Sequence, residues 1–355
     1  MSRYNGLMRT KNLLNLMGDK LHTLPLIVLY LTDGCNSRCV TCDIWQNPRR
    51  NMPMDMIDAI AAECESLGVR WILLSGGEAM QHPQWSEIGR KFRDAGVYVM
   101  LLTNGLLLRK QANSLSGSVD EVIVSLDGGT AATYDAIRGV DAFDLVLDGI
   151  RATKAHDIPV TTRTTVQRAN FREMPHIIDA ASGAGADLIS FLAVDVSNPF
   201  AFGDRYQQDD IIPIANTTDD PSMLTRDEIT ELSALLNDIE TRYADAFTAG
   251  HIAESPAKLR HTLLDYFSSA AGTGDFAPPR CNAPHFSTVI EADGRLRPCY
   301  FLPTYGRFKR GDSLSEAING DVAQQLRRAY RNGERAECKR CVCPLYKGPR
   351  SLLKM

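Results

Sequence analysis

Residues 24–31 read LPLIVLYL, an unbroken apolar run that opens the patterned part of the chain. A strand wetted on one face alternates apolar with polar residues, so this run fits a strand covered on both faces, as in a parallel sheet. Three cysteines follow at once, where the C-terminal end of that strand falls: Cys35, Cys39 and Cys42, at Cys-x3-Cys-x2-Cys spacing. A loop this tight converges three thiolates on one point. It leaves out the fourth ligand that a structural zinc or a closed iron-sulfur cluster needs. Either a distant residue such as His82 completes a zinc knuckle, or one coordination position stays open.

From this loop onward, strand and helix patterns alternate, which is the sequence of a parallel sheet with crossover helices. Strands are expected at 70–75, 97–102, 121–126, 158–166 and 187–193, with helices at 53–67, 84–95, 107–113, 142–155 and 173–184. Counting from the first strand gives six strand-helix units. A Rossmann fold fits less well, because no Gly-x-Gly-x-x-Gly follows the first strand. Residues 1–23 carry Leu13, Leu14, Leu16 and Met17 at helical spacing and predict a short N-terminal helix. The stretch 195–222, with Asp204, Asp209, Asp210, Asp219 and Asp220 broken by Pro213 and Pro221, reads as a loop or linker. Thr225 and Glu228 form a capping-box pattern that opens a helix to about residue 244. Residues 285–300 predict a hairpin turning at Asp293-Gly294, and 314–331 a further helix.

At 355 residues with 44% hydrophobic content, the chain suits one large domain plus an appendage. A formal net charge of −4 gives no strong field for nucleic acid or an anionic membrane. No apolar run reaches the ~20 residues of a membrane span, and Arg3, Arg9, Lys11 and Lys20 interrupt any signal-peptide core. A cytoplasmic location is expected. The nine cysteines group as three at 35–42, five at 281–343 and Cys64 alone, which suits two metal sites better than disulfides. Cys64 falls in the apolar pattern of a helix and reads as core. His251, His261 and His285 have no ligand spacing among themselves and read as ordinary.

The second expected strand ends in Ser75-Gly76-Gly77-Glu78, the third in Thr103-Asn104-Gly105 and the fourth in Ser125-Leu126-Asp127-Gly128. Paired glycines let the backbone come close to a ligand and leave carbonyls and amides to meet a polar group. Each segment taken singly is a common turn. Together with the cysteine loop, in this order and each at a strand end, they resemble the radical S-adenosylmethionine (SAM) superfamily.

That resemblance implies a partial (β/α)6 TIM-like barrel, with ligands gathered at the C-terminal strand ends. It implies a [4Fe-4S] cluster on Cys35, Cys39 and Cys42, whose open iron binds the amino and carboxyl groups of SAM. Cleavage of SAM then yields a 5'-deoxyadenosyl radical that takes a hydrogen atom from a substrate. The backbone of Gly76, Gly77 and Glu78 would meet the methionyl amino group. Thr103, Asn104 and Ser125 would line the cofactor pocket, and Asp127 would orient the loop or reach the substrate. Arg163, in the fifth strand, offers a forked guanidinium for the cofactor carboxylate; a structural arginine is the other reading. The residue before the third cysteine is often aromatic in this superfamily and here is Thr41, which leaves ligand spacing unaffected.

Cys281-x12-Gly294-x4-Cys299, followed by Cys338-x2-Cys341-x-Cys343, resembles the SPASM and twitch extensions of the same superfamily, which carry auxiliary iron-sulfur clusters. Seven cysteines serve two clusters in a full SPASM domain. Five here fit one auxiliary [4Fe-4S] cluster, on Cys281, Cys299, Cys338 and Cys341. Cys343 would be a spare thiol, an alternative ligand or a hydrogen-atom donor, and a structural zinc on the same thiolates stays open. Tyr300 stands where formylglycine-forming members carry an aspartate, which argues against that reaction.

The expected organisation is an N-terminal helical extension at 1–23, a barrel core at 24–200, an acidic linker with helices at 201–270 and an auxiliary-cluster domain at 271–355. The expected function is radical SAM chemistry giving net oxidation of a small metabolite such as a sugar, lipid or cofactor precursor. The alternatives are a peptide maturase and an epimerase with a cysteine hydrogen donor. Only about 23 residues precede the first strand, short for the leader-binding domain common in peptide maturases. A non-catalytic zinc or iron-sulfur protein would not need the Gly-Gly-Glu and Ser-x-Asp-Gly segments. A reductant such as flavodoxin or ferredoxin is the expected protein partner.

Overall fold

A computed structural model describes residues 6–197, 220–276, 280–346 and 348. Six strands, β1 (Leu26–Thr32), β2 (Trp71–Gly76), β3 (Tyr98–Thr103), β4 (Glu121–Ser125), β5 (Val160–Val166) and β6 (Leu188–Ala193), pair side by side in chain order. All five pairings are parallel. The crossovers carry α2 (Met54–Glu63), α3 (Trp85–Asp94), α4 (Leu108–Leu115), α5 (Ala131–Arg138), α6 (Phe143–Lys154) and α7 (Met174–Gly183); α1 (Gly6–Met17) precedes the sheet. This is the mostly parallel α/β arrangement of a partial barrel.

The apolar strands behave as double-sided burial requires. Ile27, Leu29, Leu31, Ile72, Leu74, Val99, Leu101, Val122 and Val124 are fully buried under the helices. The opposite face of β2 and β4 is half-buried. Cys64 is buried and its thiol donates to the Ile60 carbonyl at 3.4 Å, so it is a core residue. The acidic stretch lies mostly outside the described residues, including Asp204, Asp209, Asp210, Pro213 and Asp219. Beyond it, Thr225 caps α8 (Arg226–Arg242) with the full reciprocal capping box to Glu228.

Two features depart from the sequence reading. The crossover from β4 to β5 holds α5 ahead of α6, and periodicity did not reveal it. The helix expected over 314–331 is instead two helices, Leu314–Ala317 and Asp321–Arg331, interrupted at Asn319-Gly320. Asn319 has a different task there: its side chain accepts from Leu21 N at 2.7 Å and donates to Leu21 O at 3.0 Å, clasping the start of the chain.

The hairpin of β7 (Ser287–Ile290) and β8 (Arg295–Arg297) turns at Asp293-Gly294, and Gly294 has φ +87°. β7 also pairs in parallel with β1, from Leu26 opposite Ser287 to Leu29 opposite Ile290. The cysteine-rich C-terminal part therefore continues the barrel sheet past its first strand. Within the hairpin a buried ion pair joins the two arms, Arg297 Nε to Glu291 at 2.7 Å, with Arg297 fully buried. Replacing Arg297 with Met strips Glu291 of its closest cation. That should lower unfolding free energy by about 3 kcal/mol, read from the urea midpoint; an unchanged midpoint would show that the pair does not fasten the hairpin.

Candidate active site

The cysteine loop leaves the C-terminal end of β1 and is fixed by the ends of its neighbours. Gly76 sits at φ +126°, and a Cβ there would lie 2.4 Å from the Thr32 carbonyl oxygen. A Cβ on Gly77 would lie 2.4 Å from the Gly34 carbonyl oxygen. The glycine pair is thus needed to let β2 touch the cysteine loop, because real Cβ atoms do not approach oxygen so closely. The Gly77 and Glu78 amides donate to Thr32 O at 2.8 Å and Gly34 O at 2.9 Å. Both amides are committed to the loop, so contact with an amino group falls to carbonyl oxygens, which suits an ammonium donor.

Glu78 is 1% exposed and accepts three hydrogen bonds: from Thr103 Oγ1 at 2.8 Å, Met80 N at 3.1 Å and Asn104 N at 2.7 Å. Burial pushes its carboxyl up, against those three donors. Asn104 then reaches the loop itself, donating to Asn36 Oδ1 at 2.8 Å and Ser37 Oγ at 3.0 Å, with Cys35 Sγ 3.9 Å away. Glu78, Thr103 and Asn104 therefore act as one brace from β2 through β3 to the cysteines.

Ser125, Arg163 and Ser190 stand directly opposite one another on β4, β5 and β6, on one face of the sheet. The Nε of Arg163 is buried with no hydrogen-bond partner among the described residues. A guanidinium left unsatisfied at this depth is costly unless something fills the space before it, and a carboxylate suits it in charge and shape. Ser190 was not singled out by the sequence; its Oγ donates to the buried Glu254 at 3.0 Å. Asp127 is 4% exposed, and both carboxylate oxygens are engaged, by Thr165 N at 2.7 Å and Arg138 at 3.0 Å. Through these two oxygens it joins the loop after β4 to β5 and to α5. Burial pushes its carboxyl up while Arg138 pulls it down.

Cys35, Cys39 and Cys42 are all half-buried. Desolvation pushes Cys35 up to about 11, with Glu78 and the other two thiols adding to the rise. Cys39 is raised by burial and pulled back by Arg138. The donor set fits a soft metal group. No three His, Cys, Asp or Glu side chains among the described residues converge at the spacing of a single metal ion. A cube of four irons takes each cysteine on a different corner and does not require that convergence.

The C-terminal thiols Cys281, Cys299, Cys338 and Cys341 are half-buried. Cys299, Cys338 and Cys341 pack against the main core. Three of them feel the charge of others in the set: Cys281 acts on Cys299, Cys338 and Cys341, Cys338 on Cys299, and Cys299 on Cys341. Burial raises every one, Cys338 to about 12. Cys343 is exposed but acts on Cys341 and Cys281. His285, read as ordinary, is buried with an unpartnered Nε2 among the described residues, its ring 5.6 Å from Tyr330. His251 bonds Asp187 O and Ser182, and His261 pairs with Asp265 at 3.2 Å.

The raised thiol of Cys35 has a direct consequence at pH 8. Only about one molecule in a thousand carries the thiolate when the pKa is about 11. In iron-free protein, the rate of Cys35 alkylation by iodoacetamide should rise about tenfold per pH unit from 8 to 10 and level off near 11. A rate already flat at pH 8, followed by peptide mass mapping, would contradict the desolvated environment.

Residues 29–181 match the radical SAM superfamily, and residues 281–342 match SPASM, an iron-sulfur cluster-binding domain. An AdoMet-dependent heme synthase from Methanosarcina barkeri is 35% identical over 167 residues, 45% of this chain and 48% of that protein. A probable GTP 3',8-cyclase from Saccharolobus solfataricus is 30% identical over 167 residues, 46% of this chain and 54% of that protein. The matched stretch spans about half the length of these curated relatives. Among solved structures, Streptococcus suis SuiB bound to S-adenosylmethionine has a TM-score of 0.62 at 14% identity, covering 98% of this chain and 81% of its own. Native anSMEcpe with bound AdoMet has a TM-score of 0.61 at 16% identity, covering 90% and 89%. Those likenesses show the fold. A radical SAM domain carries a [4Fe-4S] cluster and SAM, and a SPASM domain carries auxiliary iron-sulfur clusters. The chain thus holds a radical SAM domain over residues 29–181 and a SPASM-type iron-sulfur domain over residues 281–342.

Proposed function

We propose that this enzyme cleaves SAM reductively at Cys35, Cys39 and Cys42 and carries out a net two-electron oxidation of a small metabolite. The observation that carries the first half is the three-thiol loop at the C-terminal end of β1, in the same sheet as Arg163, a half-buried arginine whose buried Nε has no partner among the described residues. When bound, the cluster and SAM would supply a 5'-deoxyadenosyl radical able to take a hydrogen atom from substrate.

The chain's own residues do the rest by placement. Arg163, with Ser125 beside it, is the carboxylate site, and carbonyls near Gly76 and Gly77 are the acceptors for the amino group. Glu78, Thr103 and Asn104 keep the cysteine loop in register with both. Relatives named for heme, Fe-coproporphyrin III and a cyclised GTP support a small-molecule substrate. A peptide is the second reading, supported by the fold it shares with SuiB, whose structure was solved with the precursor peptide SuiA.

For oxidation, a second electron must leave the substrate after hydrogen abstraction. Cys281, Cys299, Cys338 and Cys341 are the place in this chain to hold an acceptor with all ligand positions filled by protein. The rival is epimerisation, with Cys341 or the exposed Cys343 returning a hydrogen atom. Flavodoxin or ferredoxin in the cytoplasm is the reductant this reading needs.

Replacing Cys35, Cys39 and Cys42 with Ala should abolish 5'-deoxyadenosine formation under dithionite, as chromatography of the quenched reaction would record. The same variant, reconstituted without oxygen, should keep about four irons and four sulfides per chain. One zinc and no sulfide would instead make the C-terminal thiols a structural clip. With substrate in hand, solvent deuterium at a stereocentre of a product unchanged in mass otherwise would refute oxidation and favour the thiol donor.

A further inference from the structure

The last turn of α5 is docked on the cysteine loop. Arg38 N donates to Arg138 O at 2.9 Å and Val40 N to Ile137 O at 3.0 Å, one bond on each side of Cys39. A helix leaves its last four carbonyls without intrahelical donors, and here two of them are used to shape the loop. Gly139 ends the helix at φ +68°, and a Cβ there would lie 2.5 Å from the Arg38 carbonyl oxygen. Thr130 caps the other end, its hydroxyl accepting from Thr133 N at 3.4 Å.

The side chain of Arg138 turns back toward the same loop. It is 12% exposed, and its guanidinium donates to Asp127 at 3.0 Å. Its Nε is buried without a partner among the described residues, as is the hydroxyl of Tyr134 one turn earlier. Arg138 acts on Cys39 and Cys35 electrostatically, and on Cys39 more strongly than the opposing Asp127 does. The groups that face the guanidinium are Asp127, the buried Glu78, the Tyr134 hydroxyl and two thiols of the loop.

We propose that Arg138 is a positioning residue that sets the reduction potential of the cluster held by Cys35, Cys39 and Cys42. This rests on the reading that those cysteines hold such a cluster. Each thiolate brings negative charge, and one-electron reduction adds more. A fixed cation in a dry site favours the more negative state, and potentials of iron-sulfur clusters follow local charge and exposure. Asp127 moderates that charge and holds the guanidinium against the loop.

The test is an EPR-monitored redox titration of the reconstituted full chain, following the signal that changes when SAM is added. Arg138→Gln should make this cluster harder to reduce, by at least a tenfold fall in the reduction equilibrium constant, ~59 mV for one electron. Arg138→Lys should recover most of that loss, and Asp127→Asn should shift the potential the opposite way. An unmoved midpoint in Arg138→Gln, or equal shifts in the Gln and Lys variants, would overturn the inference. If Arg138→Gln does not load iron, Asp127→Asn decides: no rise in potential there also overturns it. Wild-type protein with no SAM-responsive cluster would sink the functional reading itself, whereas a responsive cluster of unmoved potential sinks only this inference.

Discussion

Everything at the active end of this molecule depends on the buried carboxylate of Glu78. It joins the end of β2 to the hydroxyl and backbone at the end of β3 through two hydrogen bonds, takes a third from Met80 N, and through Asn104 extends to Asn36 and Ser37 between the cysteines. A carboxylate this deeply buried survives only with its lone pairs filled. That requirement fixes the residues around it more tightly than packing alone would. The two preceding glycines answer to the same constraint, since any side chain at either position would push β2 away from the loop.

A second brace approaches the loop from the other side. The carbonyls of α5 hold the backbone flanking Cys39, and the Asp127–Arg138 pair connects that helix to β4 and β5. Farther off, Arg50 connects the loop's Asp33 to Asp293 of the C-terminal hairpin, at 4.0 and 3.0 Å. Asp19 connects the start of the chain to Arg328 and Arg331 at 3.0 and 2.9 Å. The SPASM-type region is thereby tied to the cysteine loop at the hairpin and to the start of the chain along its helix Asp321–Arg331. The exposed pairs among these contribute little stability each; their effect is to fix relative position.

Much of the barrel was legible because burial on both faces leaves a local trace. Apolar runs such as WILLS and VYVMLL sit within a residue or two of the observed strands. The strand-end segments were legible for a similar reason: Gly-Gly, Asn-Gly and Asp-Gly mark places where backbone must turn or come close. α5 was missed because AATYDAIR is short and has no clear apolar stripe, with Tyr134 and Ile137 its buried residues. Its signal lay at the ends, in the Thr130 cap and the left-handed Gly139. The pairing of β7 with β1 joins residues more than 250 positions apart and leaves no trace in either segment. The commitment of Asp127 to Arg138, and of the Gly77 and Glu78 amides to the loop, are likewise contacts that only the folded arrangement reveals.

The central claim is that Cys35, Cys39 and Cys42 leave one iron of their cluster open, while the C-terminal thiols close theirs. Mössbauer spectra of protein reconstituted with iron-57, recorded with and without SAM, address it most directly. The account predicts that SAM shifts the parameters of a single iron of one cluster and leaves the other cluster unchanged. No shift, or a shift that persists after Cys35, Cys39 and Cys42 are replaced with Ala, would contradict it.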